Sequence, residues 1–222
     1  MRGFDIKQIR MRSFQISGLT AKWGIGDSRK PTIWKNNLIG RWDTRTFPDG
    51  ALATIPNTAT MAGKAPDLTV TGATMASGTL QFDGVDDEAR TAAFLFPKRF
   101  TVFWDADWLG ATYARAGIVH ATDMMLCNQA AGQSIVAYIK PGTSSAMPNT
   151  AVAISTAGTY YSRAGVPAKF SGVVGTRQST AELIIAMYSG AFTQMGLRQL
   201  LIFNKELSQA EVNDVLRAMF PA

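Results

Sequence analysis

The acids with the best chance of acting together are Asp83, Asp86, Asp87 and Glu88, crowded into one short stretch. Glycoside cleavage by a retaining mechanism needs an acid and a nucleophile about 5–5.5 Å apart. An E-x-D-x-x-E strand would present such a pair, and the sequence contains none. Asp83-Gly84 is a natural turn pair, which favours a tight turn over a carboxylate site. Calcium is a second reading for Asp83, Asp86 and Asp87, because hard cations gather several oxygens, but no metal is expected. His120 is the only histidine, so a Ser-His-Asp or Cys-His mechanism would have to use it. The single cysteine, Cys127, lies seven positions on, which puts the two on neighbouring strands at best. Ordinary structural roles are favoured for both. Zinc needs three or four Cys or His ligands, and the chain offers two such residues. Neither G-x-x-x-x-G-K-[ST] nor G-x-G-x-x-G occurs, so nucleotide binding has no support. The expectation is a protein without catalytic residues or cofactor, and not an enzyme.

Aromatic residues could instead bind. Trp104 and Trp108 share one face of a strand with Val102 and Ala106, while Asp105 and Asp107 alternate onto the other. That pattern favours tryptophans turned inward over a sugar-stacking platform. Trp23, Trp34 and Trp42 stand near the start of the chain, where they could anchor an interface or cap a core.

The elements that must position these residues are mostly strands. Short apolar runs alternate with Gly, Pro, Asn, Asp and Thr clusters at the spacing of a sandwich. Strands are predicted over 37–42, 68–70, 79–82, 100–108, 116–120, 124–127, 134–138, 151–155, 169–174, 181–188 and 196–203. Residues 43–67, rich in Pro, Gly, Asn and Thr, read as a long surface loop. One helix is predicted, near the end of the sequence. Ser208 and Glu211 form a capping box, Leu207 and Val212 a hydrophobic staple, and Val212, Val215, Leu216 and Met219 one apolar stripe. The fold class is therefore all-β, two packed antiparallel sheets with one short C-terminal helix.

Charge divides the chain differently. The net charge of +6 resides in residues 1–36, which hold eight basic side chains against two acids, and the rest is balanced. This gives two domains: a basic docking arm, 1–36, and a sandwich, 37–222. In the arm, Ile9, Met11, Phe14 and Ile16 alternate with Arg10 and Arg12, an amphipathic strand able to add to a partner's sheet edge or to its own. Lys7, Arg10, Arg12, Phe14, Trp23 and Trp34 are the candidate docking residues. Nucleic acid is a disfavoured partner, since no helix-turn-helix, zinc knuckle or glycine-aromatic RNA motif accompanies the charge. The start shows no secretory pattern and no run long enough to cross a membrane, which predicts synthesis in a cytoplasm.

Three segments carry a resemblance. Leu80-Gln81-Phe82-Asp83-Gly84-Val85-Asp86-Asp87, Arg99-Phe100-Thr101-Val102-Phe103-Trp104, and Leu200 to Ser208 followed by Glu211 are together similar to laminin-G-like/concanavalin-A-like domains. The resemblance implies a jelly-roll of two antiparallel sheets, used to bind glycans or protein surfaces. Stand-alone versions with a short leader also resemble structural proteins of tailed phages of gut Bacteroidetes. This likeness implies a virion subunit: a head fibre, capsid decoration or tail-associated protein. Its arm would meet other virion proteins, and a homo-oligomer is expected. The alternative is a glycan-binding module acting in host or mucus adhesion, with surface glycans as partners.

Overall fold

A computed structural model describes residues 32–109, 117–120, 124–128, 135–139, 145–148, 150–169 and 179–221. The short helix α1, Thr32–Asn36, leads into strand β1, Leu38–Asp43. Next come β2 Gly50–Ala51, β3 Thr54–Ile55, β4 Leu68–Thr71, β5 Thr74–Ala76, β6 Thr79–Asp83, β7 Glu88–Thr91 and β8 Phe94–Leu95. The middle of the chain supplies β9 Thr101–Trp108, β10 Gly117–His120, β11 Met124–Asn128, β12 Ile135–Ile139, β13 Ser145–Met147, β14 Ala151–Ser155, β15 Thr159–Ser162 and β16 Pro167–Lys169. The remainder holds β17 Thr180–Ala181, β18 Leu183–Ile185, β19 Met187–Tyr188, β20 Ala191–Phe192, β21 Gln194–Phe203 and helix α2, Gln209–Met219.

Most of these strands form two large antiparallel sheets, while β8 pairs with β17 and β19 with β20 in two small ones. One large sheet runs β16-β15-β14-β9-β21-β6-β5-β2, with β1 also paired to β21; the other runs β13-β12-β11-β10-β18-β7-β4-β3. The long strand β21 is the organiser of the first sheet. It pairs along its length with β9, while its first half meets β6 and its second half meets β1.

Alternation explains the layering. On β9, Val102 and Trp104 enter the core between the sheets, beside Trp42, Leu80, Phe82, Leu200 and Ile202. Phe103 points the other way and meets Leu201, Phe203 and the α2 stripe. The helix therefore lies on the outer face of the first sheet, giving that sheet apolar packing on both sides. Its capping box is formed, with Glu211 accepting from the Ser208 backbone N–H at 2.8 Å, and Val212, Val215, Leu216 and Met219 are buried. Thr101 Oγ1 fixes the approach to the helix by donating to the Lys205 carbonyl and accepting from the Leu207 N–H.

Several expectations change. Residues 43–67 are not a plain surface loop, for they contain β2 and β3 and send Ile55, Ala59 and Ala65 into the cores. Asn57 pins this stretch to β1: its side chain donates to the carbonyls of Ile39 and Ala65 and accepts from the N–H of Arg41 and Ala59. The strand expected over 181–188 is broken into β17, β18 and β19. Ala186 adopts a positive φ of 65° between the last two, which ends the extended run. Of the strand expected over 169–174, Lys169 lies in β16, Pro167–Lys169, and residues 170–174 lie outside the described ones.

Candidate functional site

The acidic stretch forms a turn. Gly84 has a φ of 83°, open to glycine without strain, and the Asp83 carboxylate accepts from the Val85 N–H two residues on, at 2.7 Å. Asp87 folds back to accept from the Asp83 N–H at 2.8 Å. The carboxylates of Asp83, Asp86 and Asp87 can all place an oxygen within 4.8 Å of one another, with Asp87 buried and the other two exposed. Burial, followed by repulsion from Asp83 and Asp86, pushes the Asp87 carboxyl up, against the pull of the Asp83 N–H. Glu88 stands apart from this group, held by Arg90 at 2.5 Å. The arrangement is an Asx turn with crowded acids, and the hydrogen bonds that shape it are its own.

His120 is wholly buried. Its ring lies 4.3 Å from that of Phe96 and 5.2 Å from that of Phe94, and Nε2 is 3.1 Å from the Ala181 carbonyl. Cys127 is paired across the sheet with Gly117, whereas His120 is paired with Met124. The two residues thus sit on neighbouring strands but three rungs apart along the ladder, a placement that does not bring them together as a nucleophile and base.

The outer face of the first sheet carries an ionic network beyond the end of α2. Arg198 on β21 donates to Asp105 at 3.0 and 2.8 Å and to Asp107 at 2.5 and 3.0 Å. Arg163 adds a 3.5 Å contact to Asp105 and places its guanidinium 4.2 Å from the centre of the Phe220 ring. Next to them, Asp43 accepts from Arg45 at 2.9 and 2.7 Å and from Gln199 at 2.9 Å. Arg45 reaches on to the Met219 carbonyl at 3.1 Å, tying the last turn of the helix to the sheet. Burial pushes the Asp43 carboxyl up, but the Arg45 guanidinium and then Arg41 pull it below the ordinary carboxylate range. Asp107 is likewise held low, chiefly by its bond to Arg198. Each of these carboxylates is committed to a guanidinium, so the network joins strands and helix and leaves no acid poised for proton transfer. The alternation on β9 identifies Asp105 and Asp107 as outward residues; that Arg198 from β21 would cover Asp105 had no local signal.

Of the expected docking residues, Lys7, Arg10, Arg12, Phe14 and Trp23 lie outside the described residues. Trp34 is described, and it is a core residue. It packs edge-on against Phe203 with ring centres 6.1 Å apart, Arg41 sits 5.4 Å above its ring, and 6% of its surface remains exposed. Its placement is that of a residue capping the core, one of the two roles the sequence leaves open for it. The one-turn helix α1 turns the indole back onto the sheet, where Phe203 offers apolar area. Trp42 and Trp104 also lie inside, flanking Leu200 from β1 and β9 in one row of the ladder.

One end of the first sheet is cationic. Leu38, Phe203, Thr101, Ser155, Thr159 and Lys169 form a single row across β1, β21, β9, β14, β15 and β16. At or just beyond that row stand Lys35, Lys98, Arg99, Lys169 and Lys205, all exposed. The acidic turn belongs to the opposite end, since Asp83 pairs with Gln194 at the far end of β21.

No family model matches the sequence, and no curated protein matches it. Solved structures do match in shape. Trypanosoma rangeli sialidase in complex with sialic acid gives a TM-score of 0.57 at 11% identity, over 96% of this chain and 38% of that one. The receptor-binding domain of a botulinum neurotoxin C/D mosaic gives 0.58 at 11% identity, over 82% of this chain and 51% of that one. The fold is a concanavalin-A-like jelly roll. A third likeness is the ligand-binding domain of botulinum neurotoxin serotype D in complex with N-acetylneuraminic acid, with a TM-score of 0.58 at 12% identity over 82% of this chain and 50% of that one. The jelly roll thus spans well under half of the sialidase and about half of the toxin domains. At such identities the likeness is one of fold. No helix among the described residues is long and apolar enough to cross a membrane.

Proposed function

We propose that this chain is a non-catalytic carbohydrate-binding module. The observation that carries the reading is the jelly roll shared with a neurotoxin domain solved in complex with N-acetylneuraminic acid. The chemistry of the described residues agrees with it: Asp43, Asp105 and Asp107 are held by arginines, and Asp83 and Asp87 are engaged in a turn. Hydrolysis by the common glycosidase mechanism would use two carboxyls facing each other across a substrate cleft. A glycan array probed with the full chain, with calcium and again with chelator, tests the reading. Saturable binding to a defined set of sugars is expected, and a blank array in both conditions would refute it.

The segregated charge of residues 1–36 favours a second, compatible role. A cationic leader on a balanced body suits attachment to a larger assembly, such as a phage particle on which the jelly roll is displayed as a head fibre, decoration or tail-associated subunit. Removing residues 1–31 keeps Trp34 and is expected to leave a folded body that no longer joins its assembly. Assembly without those residues would count against this role.

A further inference from the structure

We infer that the cationic end of the first sheet is a docking surface for acidic polysaccharide. The inference rests on the carbohydrate-binding reading and adds to it a place and a ligand charge.

The surface is built by the register of six strands. The row from Leu38 to Lys169 crosses five inter-strand gaps, about 24 Å at the usual strand spacing. Three connections are held side by side along it. Thr156 accepts from the Phe100 N–H at 3.2 Å and donates to Glu206 at 2.7 Å, Thr101 binds the 205–207 backbone on both sides, and Asn37 donates to Asn204 at 3.0 Å. The cations therefore project from fixed backbone.

Their pairing is lopsided. Lys205 is engaged by Glu211 at 2.7 Å, and Lys169 donates to Thr159 at 2.7 Å. Lys35, Lys98 and Arg99 are exposed, and among the described residues they have no ion pair or hydrogen bond. Beside Lys205, Glu206 is bonded to Thr156, and Glu211 is bonded to Ser208 and Lys205. Three unpaired cations on a rim that a fold alone would leave neutral are a surface awaiting anions. Asp83, Asp86 and Asp87 lie at the opposite end of β21, where like charge disfavours an anionic chain.

A polysaccharide fits better than a nucleic acid. Beside its cations the rim exposes the amide of Asn36, a neutral hydrogen-bonding group of the kind that pairs with sugar hydroxyls. Its aromatic neighbours Trp34, Phe100 and Phe203 are buried, so they offer no face for stacking bases.

The test uses the full chain with alginate, dextran sulfate, neutral dextran and a short DNA duplex as probes, measured by biolayer interferometry at physiological salt. The rim variant carries Lys35→Glu, Lys98→Glu and Arg99→Glu. The control carries Arg163→Glu and Arg217→Glu, two exposed cations away from that row of residues. The unaltered chain is expected to bind alginate or dextran sulfate and not neutral dextran; which of the two binds separates carboxylate from sulfate recognition. The rim variant should lose about tenfold or more in affinity, from three exposed charges each worth a modest amount. The control should stay within about threefold. Equal losses in the two variants, loss in the control alone, tighter binding to the duplex, or no binding to either acidic polymer would each overturn the inference. Neutral sugars bound on the array would leave the carbohydrate-binding reading standing in that last case.

Discussion

Arg198 holds two aspartates of the neighbouring strand at once, reaching Asp105 at 2.8 Å and Asp107 at 2.5 Å. The Asp105 side chain is almost wholly covered. Removing its main partner would leave a buried charge with Arg163, 3.5 Å away and itself well exposed, and the more distant Arg45. Arg198→Met is therefore expected to cost about 3 kcal/mol, read as a fall in the urea midpoint at unchanged slope. Adding Asp105→Asn to that variant should recover part of the loss. A single variant as stable as the parent would show that the network contributes nothing.

The same network sets an acid limb. Asp43 and Asp107 have folded pKa values below their ordinary ones, so the unfolded chain binds protons first as pH falls. Their contribution to stability is complete above the unfolded value of about 4 and is lost as pH falls through the depressed folded values. Asp87, shifted upward, works the other way: its contribution is present below the ordinary value and lost as pH rises through the raised one. Thermal melts from pH 7 downward should show a steep loss below about pH 4, shallower in Arg198→Met because Asp107 then lacks its guanidinium. Parallel pH profiles for parent and variant would contradict the assignment.

Asn57 is the staple of the 56–67 segment, with four backbone groups on its side chain and nearly no exposure. Replacing it by alanine leaves buried N–H and carbonyl groups unmatched, at a cost of about 1–3 kcal/mol or more. Hydrogen exchange should reveal the change first at Arg41, Ala59 and Ala65. Unaltered protection at those amides would show the segment to be held by Ile55 and Ala59 packing instead.

Much of this architecture is legible in the chain. The capping box at Ser208 and the stripe of Val212, Val215, Leu216 and Met219 fix the helix and its buried face before any tertiary contact is known. Alternation along Val102, Trp104, Asp105 and Asp107 gives the two faces of β9, and Asp83-Gly84 gives its turn. What escapes is set by distant partners. Residues 43–67 have loop composition because Asn57, a residue typical of turns, serves there as a buried backbone bridge. Trp34 reads equally as an anchor or a core cap until Phe203, far along the chain, covers it. The cationic rim is invisible for the same reason, as Lys35, Lys98, Arg99 and Lys205 meet only through strand register.

The claim at the centre is that this body holds a sugar without cutting it. Calorimetric titration with an oligosaccharide taken from the strongest array signal, followed by chromatography of the recovered sugar, tests both halves together. Saturable heat with the sugar returned at its original length is the result predicted. Shortened sugar, or heat that never saturates, would contradict it.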